Sequence, residues 1–161
     1  MFHLNPVRAE SKGAFYKELG DQVRGLLHAE RDLIANAANL CALLYHALPD
    51  VNWVGFYFLK EGELVVGPFQ GKPACVRIAL GKGVCGTAAV KRESILVPDV
   101  NQFPGHIFCD GDSRSEIVLP LIQRGELLGV LDIDSPRPAR FDEEDRINLE
   151  KLSSVFLDAL G

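Results

Sequence analysis

The sequence predicts an α+β fold, with one mostly antiparallel six-stranded sheet flanked by helices. Two observations predict it. Residues 53–69 and 115–134 are rich in alternating aromatic and β-branched residues broken by tight turns, which is typical of β-hairpins. Residues near both ends of the chain instead repeat apolar side chains at helical spacing. Because the connections are short, the strands are expected to pair with their sequence neighbours and the helices to cover the sheet.

Two helices are predicted before the first strand, over residues 14–28 and about 31–48, where Pro49–Asp50 closes the second. A short helix rich in small residues is predicted at 84–91, after Gly81-Lys-Gly83. The last helix is expected to begin at Asp142, an N-cap residue with Asp145 three positions later, much like a capping box.

The strands fall between these helices. The first hairpin turns at Glu61–Gly62 and the second at Arg124–Gly125, and further short strands are predicted at 74–80 and 94–98. The order is thus two helices, three strands, a short helix, three strands and a helix. A chain of 161 residues can bury a core of its own, so we expect a single domain over residues 1–161.

The charge balance excludes several classes of protein. The net charge is 17 − 22 = −5 and the basic residues are scattered, which disfavours a nucleic-acid or anionic-membrane surface. No apolar run approaches a membrane span, and the sequence MFHLNPVRAESK lacks the apolar core of a secretory signal. We therefore expect a cytoplasmic protein, whose four cysteines are more often redox-active, catalytic or buried than joined in structural disulfides.

Cys109 is the strongest candidate for a reactive group. It lies in the polar loop NQFPGHIFCDGDSRSE, beside Asp110 and Asp112 and between Gly105 and Gly111, rather than in an apolar run. Reactive groups collect in such loops, and glycine lets the backbone approach a ligand.

Two further cysteines could act with Cys109. Cys75 opens a predicted strand, and Cys85 lies at the start of a helix, where N–H groups and the helix dipole favour the thiolate. Thiols brought together in this way can run a cycle of nucleophile and resolver. Cys41 falls on an apolar helical stripe and is expected to be buried.

A zinc site is the alternative for these residues. His106 and Cys109 are separated by two residues, but Cys75 and Cys85 are ten apart, outside the usual spacing of structural zinc ligands. We therefore predict no metal.

Carboxylates interrupt the apolar strands of the second hairpin, at Glu116, Asp132 and Asp134. Asp132 and Asp134 are two apart and point to one face, and the strand ends there, so we expect the pair at a rim instead of on an ordinary solvated face. Trp53 and Tyr57 also share one face, and they belong either to the core or to the wall of a pocket. Acids beside a thiol could donate protons and bind a cationic group.

Six blocks, taken together and in order, resemble the free methionine-(R)-sulfoxide reductases, which are single-domain GAF proteins. The blocks are NWVGFY, GPFQGKPACVRI, GKGVCGTAA, FPGHIFCD, SEIVLPL and GVLDIDSP. The resemblance runs from about Phe15 to the last helix. A GAF sensor module that binds a small molecule without catalysis is the alternative, although such a module needs no trio of thiols.

The resemblance implies a role for each cysteine. Cys109 would attack the sulfoxide and become a sulfenic acid, Cys75 would resolve it directly, and Cys85 would act as relay or alternative resolver. Glu116 or Asp134 would protonate the departing oxygen. An external dithiol such as thioredoxin would reduce the enzyme again, and no bound cofactor is expected. The resemblance also implies a role in the response to oxidative stress.

The resemblance also implies a substrate site. It would be lined by Trp53, Tyr57, Glu116, Asp132 and Asp134, and the acids would bind the ammonium group of the free amino acid. Backbone N–H groups of the loop could take its carboxylate, and these belong to Gly105, His106, Ile107, Phe108 and Cys109. A homodimer is the default expectation for the assembly.

Overall fold

The computed structural model describes residues 2–107 and 109–161. Its helices are α1 (Lys12–Leu27), α2 (Leu33–Ala47), α3 (Gly83–Lys91) and α4 (Glu143–Leu160), with one 3₁₀ turn at Val100–Gln102. These agree with the predicted helices to within a few residues. Within the described ranges, no helix combines the length and the apolar character that crossing a membrane requires.

The strands are β1 (Trp53–Lys60), β2 (Glu63–Gly71), β3 (Arg77–Ala79), β4 (Ile95–Val97), β5 (Ser115–Gln123) and β6 (Glu126–Ser135). They form one sheet in the order β3-β2-β1-β6-β5-β4, and every neighbouring pair is antiparallel. The predicted fold class is therefore confirmed. The strand predicted at 74–80 is shorter, because only three residues of β3 pair with β2.

One face of the sheet packs against α1, α2 and α4. Alternate residues of β1, β5 and β6 point to this face, in keeping with the two-residue period of a strand. Phe56 is fully buried here and its ring contacts that of Phe156 in α4, with centroids 4.8 Å apart. Cys41 is also buried on this side, as predicted, and its Sγ donates a hydrogen bond to the Pro68 carbonyl at 3.2 Å.

The capping box predicted for α4 is present. The Asp142 side chain accepts from the Asp145 N–H, and the Asp145 side chain accepts from the Asp142 N–H. Asp145 is buried and also accepts hydrogen bonds from Tyr16 Oη at 2.6 Å and Lys12 Nζ at 2.9 Å. One carboxylate therefore joins the start of α4 to α1.

The opposite face of the sheet lies under α3 and the loops that precede β3 and β5. Its buried cluster is smaller, and it includes Trp53, Tyr57 and Cys85. The residues of β5 and β6 that point to this face are a mixture of valines and acids. This face therefore holds both packing residues and ionisable groups, and a pocket opens on it.

Candidate active site

The pocket lies between the sheet, α3 and the Cys109 loop. The residues that line it include a thiol, a disulfide sulfur, acids and aromatic rings. They are Trp53, Tyr57, Pro73, Ala74, Ile78, Lys82, Gly83, Val84, Cys85, His106, Ile107, Cys109, Asp110, Ser113, Glu116, Asp132 and Asp134.

Cys109 is joined to Cys75 by a disulfide whose Cα atoms are 5.5 Å apart. Both residues are half-buried, and Cys109 lines the pocket. Tyr57 Oη donates a hydrogen bond to the Cys75 carbonyl at 3.0 Å, so a residue of β1 anchors the Cys75 backbone. The loop cysteine thus lies within bonding distance of a second sulfur at the pocket.

Cys85 is the third residue of α3, but its environment differs from the one we predicted. It is 4% exposed, and its Sγ donates a hydrogen bond to Asp132 Oδ2 at 3.4 Å. Burial, followed by the nearby Asp132 and Glu116, raises the pKa of the Cys85 thiol well above its usual value. The prediction of a favoured thiolate is therefore wrong, because desolvation and neighbouring acids outweigh the helix terminus.

Glu116, Asp132 and Asp134 come together on the pocket face. Glu116 of β5 is paired with Asp134 of β6, and Val118 with Asp132. The expected position at a rim is wrong for Asp132, which is 6% exposed. Glu116 is similarly buried, at 5% exposed, whereas Asp134 is half-buried. Burial, and then the mutual repulsion of the acids, raises the pKa of each well above its usual value. Such acids retain protons that ordinary surface acids lose, and can donate them.

The loop before Cys109 reaches the pocket through His106 and Ile107. His106 Nε2 lies 3.3 Å from Glu116 Oε2, and burial lowers the pKa of His106. Ile107 packs against Gly83, where an added Cβ would come within 3.1 Å of it. Gly105 is exposed and is not among the lining residues, so a binding role for it stays a prediction. Phe108 lies outside the described residues.

An aromatic wall closes one side of the pocket. The Trp53 ring stacks on Tyr57 and Phe69, with centroids 5.9 and 5.3 Å away. Gly55 lies between Trp53 and Tyr57 on the same strand face, and a Cβ there would overlap the Trp53 ring and the Phe69 side chain. Sequence reasoning missed Gly55 and Phe69, although a glycine inside a strand often marks a close approach.

A set of polar contacts joins the Cys75 and Cys109 loops. Trp53 Nε1 donates to the Lys72 carbonyl at 3.1 Å, and Lys72 Nζ forms ion pairs with Asp112 and, at 3.5 Å, with Asp110. Asn52 Nδ2 also donates to Asp110 Oδ2 at 3.2 Å. The sequence carried no signal for Asn52 or Lys72, because these contacts join residues distant along the chain.

Comparison with known proteins identifies the chain's relatives. Residues 16–157 match the GAF domain family. The chain is 49% identical to the free methionine-R-sulfoxide reductase of Escherichia coli over 142 residues, which cover 88% of this chain and 86% of that protein.

Solved structures agree. The free methionine-R-sulfoxide reductase of Neisseria meningitidis, in complex with its substrate, superimposes with a TM-score of 0.95 at 42% identity, covering 99% of this chain and 96% of that one. A candidate GAF sensor protein from Burkholderia vietnamiensis superimposes with a TM-score of 0.90 at 61% identity, covering 92% and 95%.

Proposed function

This chain belongs to the GAF domain family and, within it, to the free methionine-R-sulfoxide reductases, and from that membership we propose that it reduces free methionine-(R)-sulfoxide to methionine. The observation that carries the proposal is the Cys75–Cys109 disulfide beside a pocket lined by buried acids. In its reduced form this cysteine pair can supply the two electrons that a sulfoxide reduction needs, and the acids can supply the protons.

The first step would be attack by the Cys109 thiolate on the sulfoxide sulfur. The oxygen is a poor leaving group unless it is protonated, so a protonated acid beside it lowers the barrier. Glu116 and Asp134 are the proposed donors, because their raised pKa values let them hold a proton at a higher pH than ordinary carboxyl groups do. The oxygen passes to Cys109, which becomes a sulfenic acid, and methionine leaves reduced by two electrons.

The second step would be resolution by Cys75. Its thiol attacks the Cys109 sulfenic sulfur, the S–O bond breaks, and the oxygen leaves as water while the disulfide forms. Cys85 remains a free, buried thiol in the disulfide form, which fits a relay or reserve resolver better than a direct one. An external dithiol then supplies two electrons and two protons.

The pocket's charges support a free amino acid as substrate. The acids Glu116, Asp132 and Asp134 would bind the ammonium group, and Trp53 would wall the methyl end. Lys82, which lines the pocket, and backbone N–H groups of the loop would bind the carboxylate. A methionine within a peptide lacks both charges, and it would leave these polar groups unpaired.

We propose thioredoxin as the dithiol and the reducing cytoplasm as the compartment in which it recycles the enzyme. A homodimer is the proposed assembly, following the commonest symmetry of soluble oligomers.

A product assay tests the function. The reduced protein is incubated with dithiothreitol and either epimer of free methionine sulfoxide, and methionine is quantified. We expect methionine from the R epimer and little from the S epimer or from a peptide-bound sulfoxide. A protein that holds the sulfoxide without releasing methionine would instead be a binding module.

Cysteine variants assign the roles. Cys109→Ser should abolish methionine release even in a single turnover, whereas Cys41→Ser, on the opposite face, should retain it. Cys75→Ser should release the first methionine but slow recycling, and Cys85→Ser should slow it less. Single-turnover release that survives in Cys109→Ser would refute the nucleophile.

A further inference from the structure

We propose that the pocket binds one zinc-type divalent cation between Cys85 Sγ and one carboxylate oxygen each of Glu116 and Asp132. The site shares Glu116 and Asp132 with the proposed substrate site, but metal binding there is not part of the proposed reductase function, and neither Cys109 nor Cys75 is a ligand. It also differs from the zinc sites considered from the spacing of His106, Cys109, Cys75 and Cys85.

The geometry is close to that of a bound cation. The three ligand atoms lie within 4.8 Å of one another and all three residues are buried. A tetrahedral zinc ion with its usual ligand distances separates a sulfur and an oxygen ligand by about 3.5 Å. Cys85 Sγ and Asp132 Oδ2 are already 3.4 Å apart, and Glu116 offers the third ligand oxygen within 4.8 Å of the other two ligand atoms.

An unsatisfied oxygen independently points to a ligand. Asp132 is only 6% exposed, and its Oδ1 atom is buried. This oxygen accepts no hydrogen bond from a donor among the described residues. A buried carboxylate oxygen without a donor is unfavourable unless a ligand compensates it. Asp132 lines the pocket, so a cation entering there can reach this residue.

The ligand types select the class of metal. A cation that binds Cys85 must displace its thiol proton, and the resulting thiolate prefers zinc, cobalt or cadmium over magnesium and calcium, which require oxygen ligands only. His106 Nε2 lies 3.3 Å from Glu116 Oε2 and can orient that carboxylate, as outer partners of metal ligands do. Three protein ligands leave a fourth position open, which is typical of zinc sites that are not closed structural ones.

Metal binding would compete with the substrate. Asp132 and Glu116 cannot bind an ammonium group or hold a proton while they coordinate a cation. The cation is therefore expected to act as a competitive inhibitor, and a high concentration of methionine should displace it.

Cobalt(II) titration of the disulfide form tests the site. In that form Cys75 and Cys109 are joined, and Cys41 and Cys85 are free. We expect one equivalent of cobalt, with the visible absorption of a four-coordinate ion and a sulfur-to-cobalt charge-transfer band, both reversed by zinc. Cys41→Ser is the matched control, because that cysteine is equally buried on the other face and should leave the spectrum unchanged.

Cys85→Ser should remove the charge-transfer band, and Glu116→Gln should weaken binding by about a hundredfold, since losing even an outer partner costs about 10–100-fold. Asp132→Asn should weaken binding similarly while leaving the thiol in place, which keeps the test valid if Cys85→Ser does not fold. The proposal is overturned if no equivalent of cobalt binds, or if the band persists in Cys85→Ser. Binding that requires reduction and is lost in Cys109→Ser would also overturn it. None of these readouts depends on sulfoxide reduction, so this proposal and the proposed function can fail separately.

Discussion

The two faces of the sheet are built from the same strands but hold different chemistry. On the helix-covered face, apolar side chains of β1, β5 and β6 form a core with α1, α2 and α4. On the pocket face, alternate residues of those strands include Glu116, Asp132 and Asp134. Two adjacent residues of a strand therefore lie in different environments. One packs in the core and stabilises the fold, whereas the other can be an acid whose burial is unfavourable.

This difference predicts that one face mainly determines stability and the other mainly determines the chemistry. Replacements on the helix-covered face should lower stability and leave the chemistry intact, whereas replacements of the acids on the pocket face should impair the chemistry without lowering stability. Neighbouring residues of one strand, such as Phe56 and Tyr57, test this directly.

The largest effect on stability is expected from Phe56→Ala. Phe56 is fully buried and stacks near Phe58 and Phe156, so its loss should reduce the free energy of unfolding by about 3–5 kcal/mol. Urea unfolding measures this, and the KM of the protein that remains folded should not change. Val90→Ala, at a residue 60% exposed, is the control and should lie within about 0.5 kcal/mol of the wild type. Equal losses in the two variants would contradict the assignment of the core.

The next effect is expected from Asp132→Asn, which should lower kcat/KM by about a hundredfold yet raise the melting temperature. Asp132 would bind the ammonium group of the substrate, and a hydrogen bond to a charged group contributes about 1.5–3 kcal/mol. The folded-state pKa of Asp132 is raised above its ordinary value of 3.8, so the unfolded chain loses that proton first as the pH rises. Stability therefore falls with pH in the wild type, and the variant escapes this fall.

Melting curves at several pH values check the sign. The advantage of Asp132→Asn should be absent below about pH 4, where both states are protonated, and should grow as the pH rises from there towards the raised folded-state pKa. An advantage that shrinks as the pH rises would show that Asp132 is stabilised as a carboxylate. Glu116→Gln provides an independent repeat, because burial raises the pKa of Glu116 in the same direction.

A smaller effect is expected from Tyr57→Phe. It removes the hydrogen bond from Tyr57 Oη to the Cys75 carbonyl, worth about 1 kcal/mol, and should slow disulfide formation about fivefold. Rapid quenching with thiol counting measures that step, while methionine release in the first turnover should be nearly unchanged. If release slowed as much as disulfide formation, Tyr57 would act on the substrate and not on Cys75.

The smallest effect is expected from Lys72→Met, which removes the exposed ion pairs to Asp110 and Asp112. Exposed pairs contribute little and are screened by salt, so disulfide formation should slow about twofold at low salt and less at high salt. The double variant Lys72→Asp with Asp112→Lys should recover the wild-type rate. A salt-independent loss would mean that the lysine acts through packing.

Much of the fold was predictable because its signals are local. Alternation located both hairpins, and the capping box at Asp142 located the start of α4. The family predicted from six sequence blocks is confirmed by the relatives, and the aromatic pair Trp53 and Tyr57 does share one face with the acids.

The remainder depends on tertiary contacts that spacing does not encode. The position of Cys85 at the start of α3 was readable, but its burial against Asp132 follows from how α3 packs on β6. Gly55 is recognisable as an unusual strand residue, yet the ring that fills its space is known only once β1 and β2 are paired. Local patterns thus locate the elements, whereas the packing between them sets the ionisation of the groups they carry.

The disulfide has one further consequence, for the lifetime of the protein. It links residues 34 positions apart, so the segment that contains β3, α3 and β4 is closed into a ring whenever Cys75 and Cys109 are joined. Rings of this size typically stabilise a fold by about 2–4 kcal/mol, mainly by restricting the unfolded chain. The oxidised form, with the disulfide closed, is therefore expected to resist heat and proteases better than the reduced form. When reductant is scarce, the protein would accumulate in this more stable form.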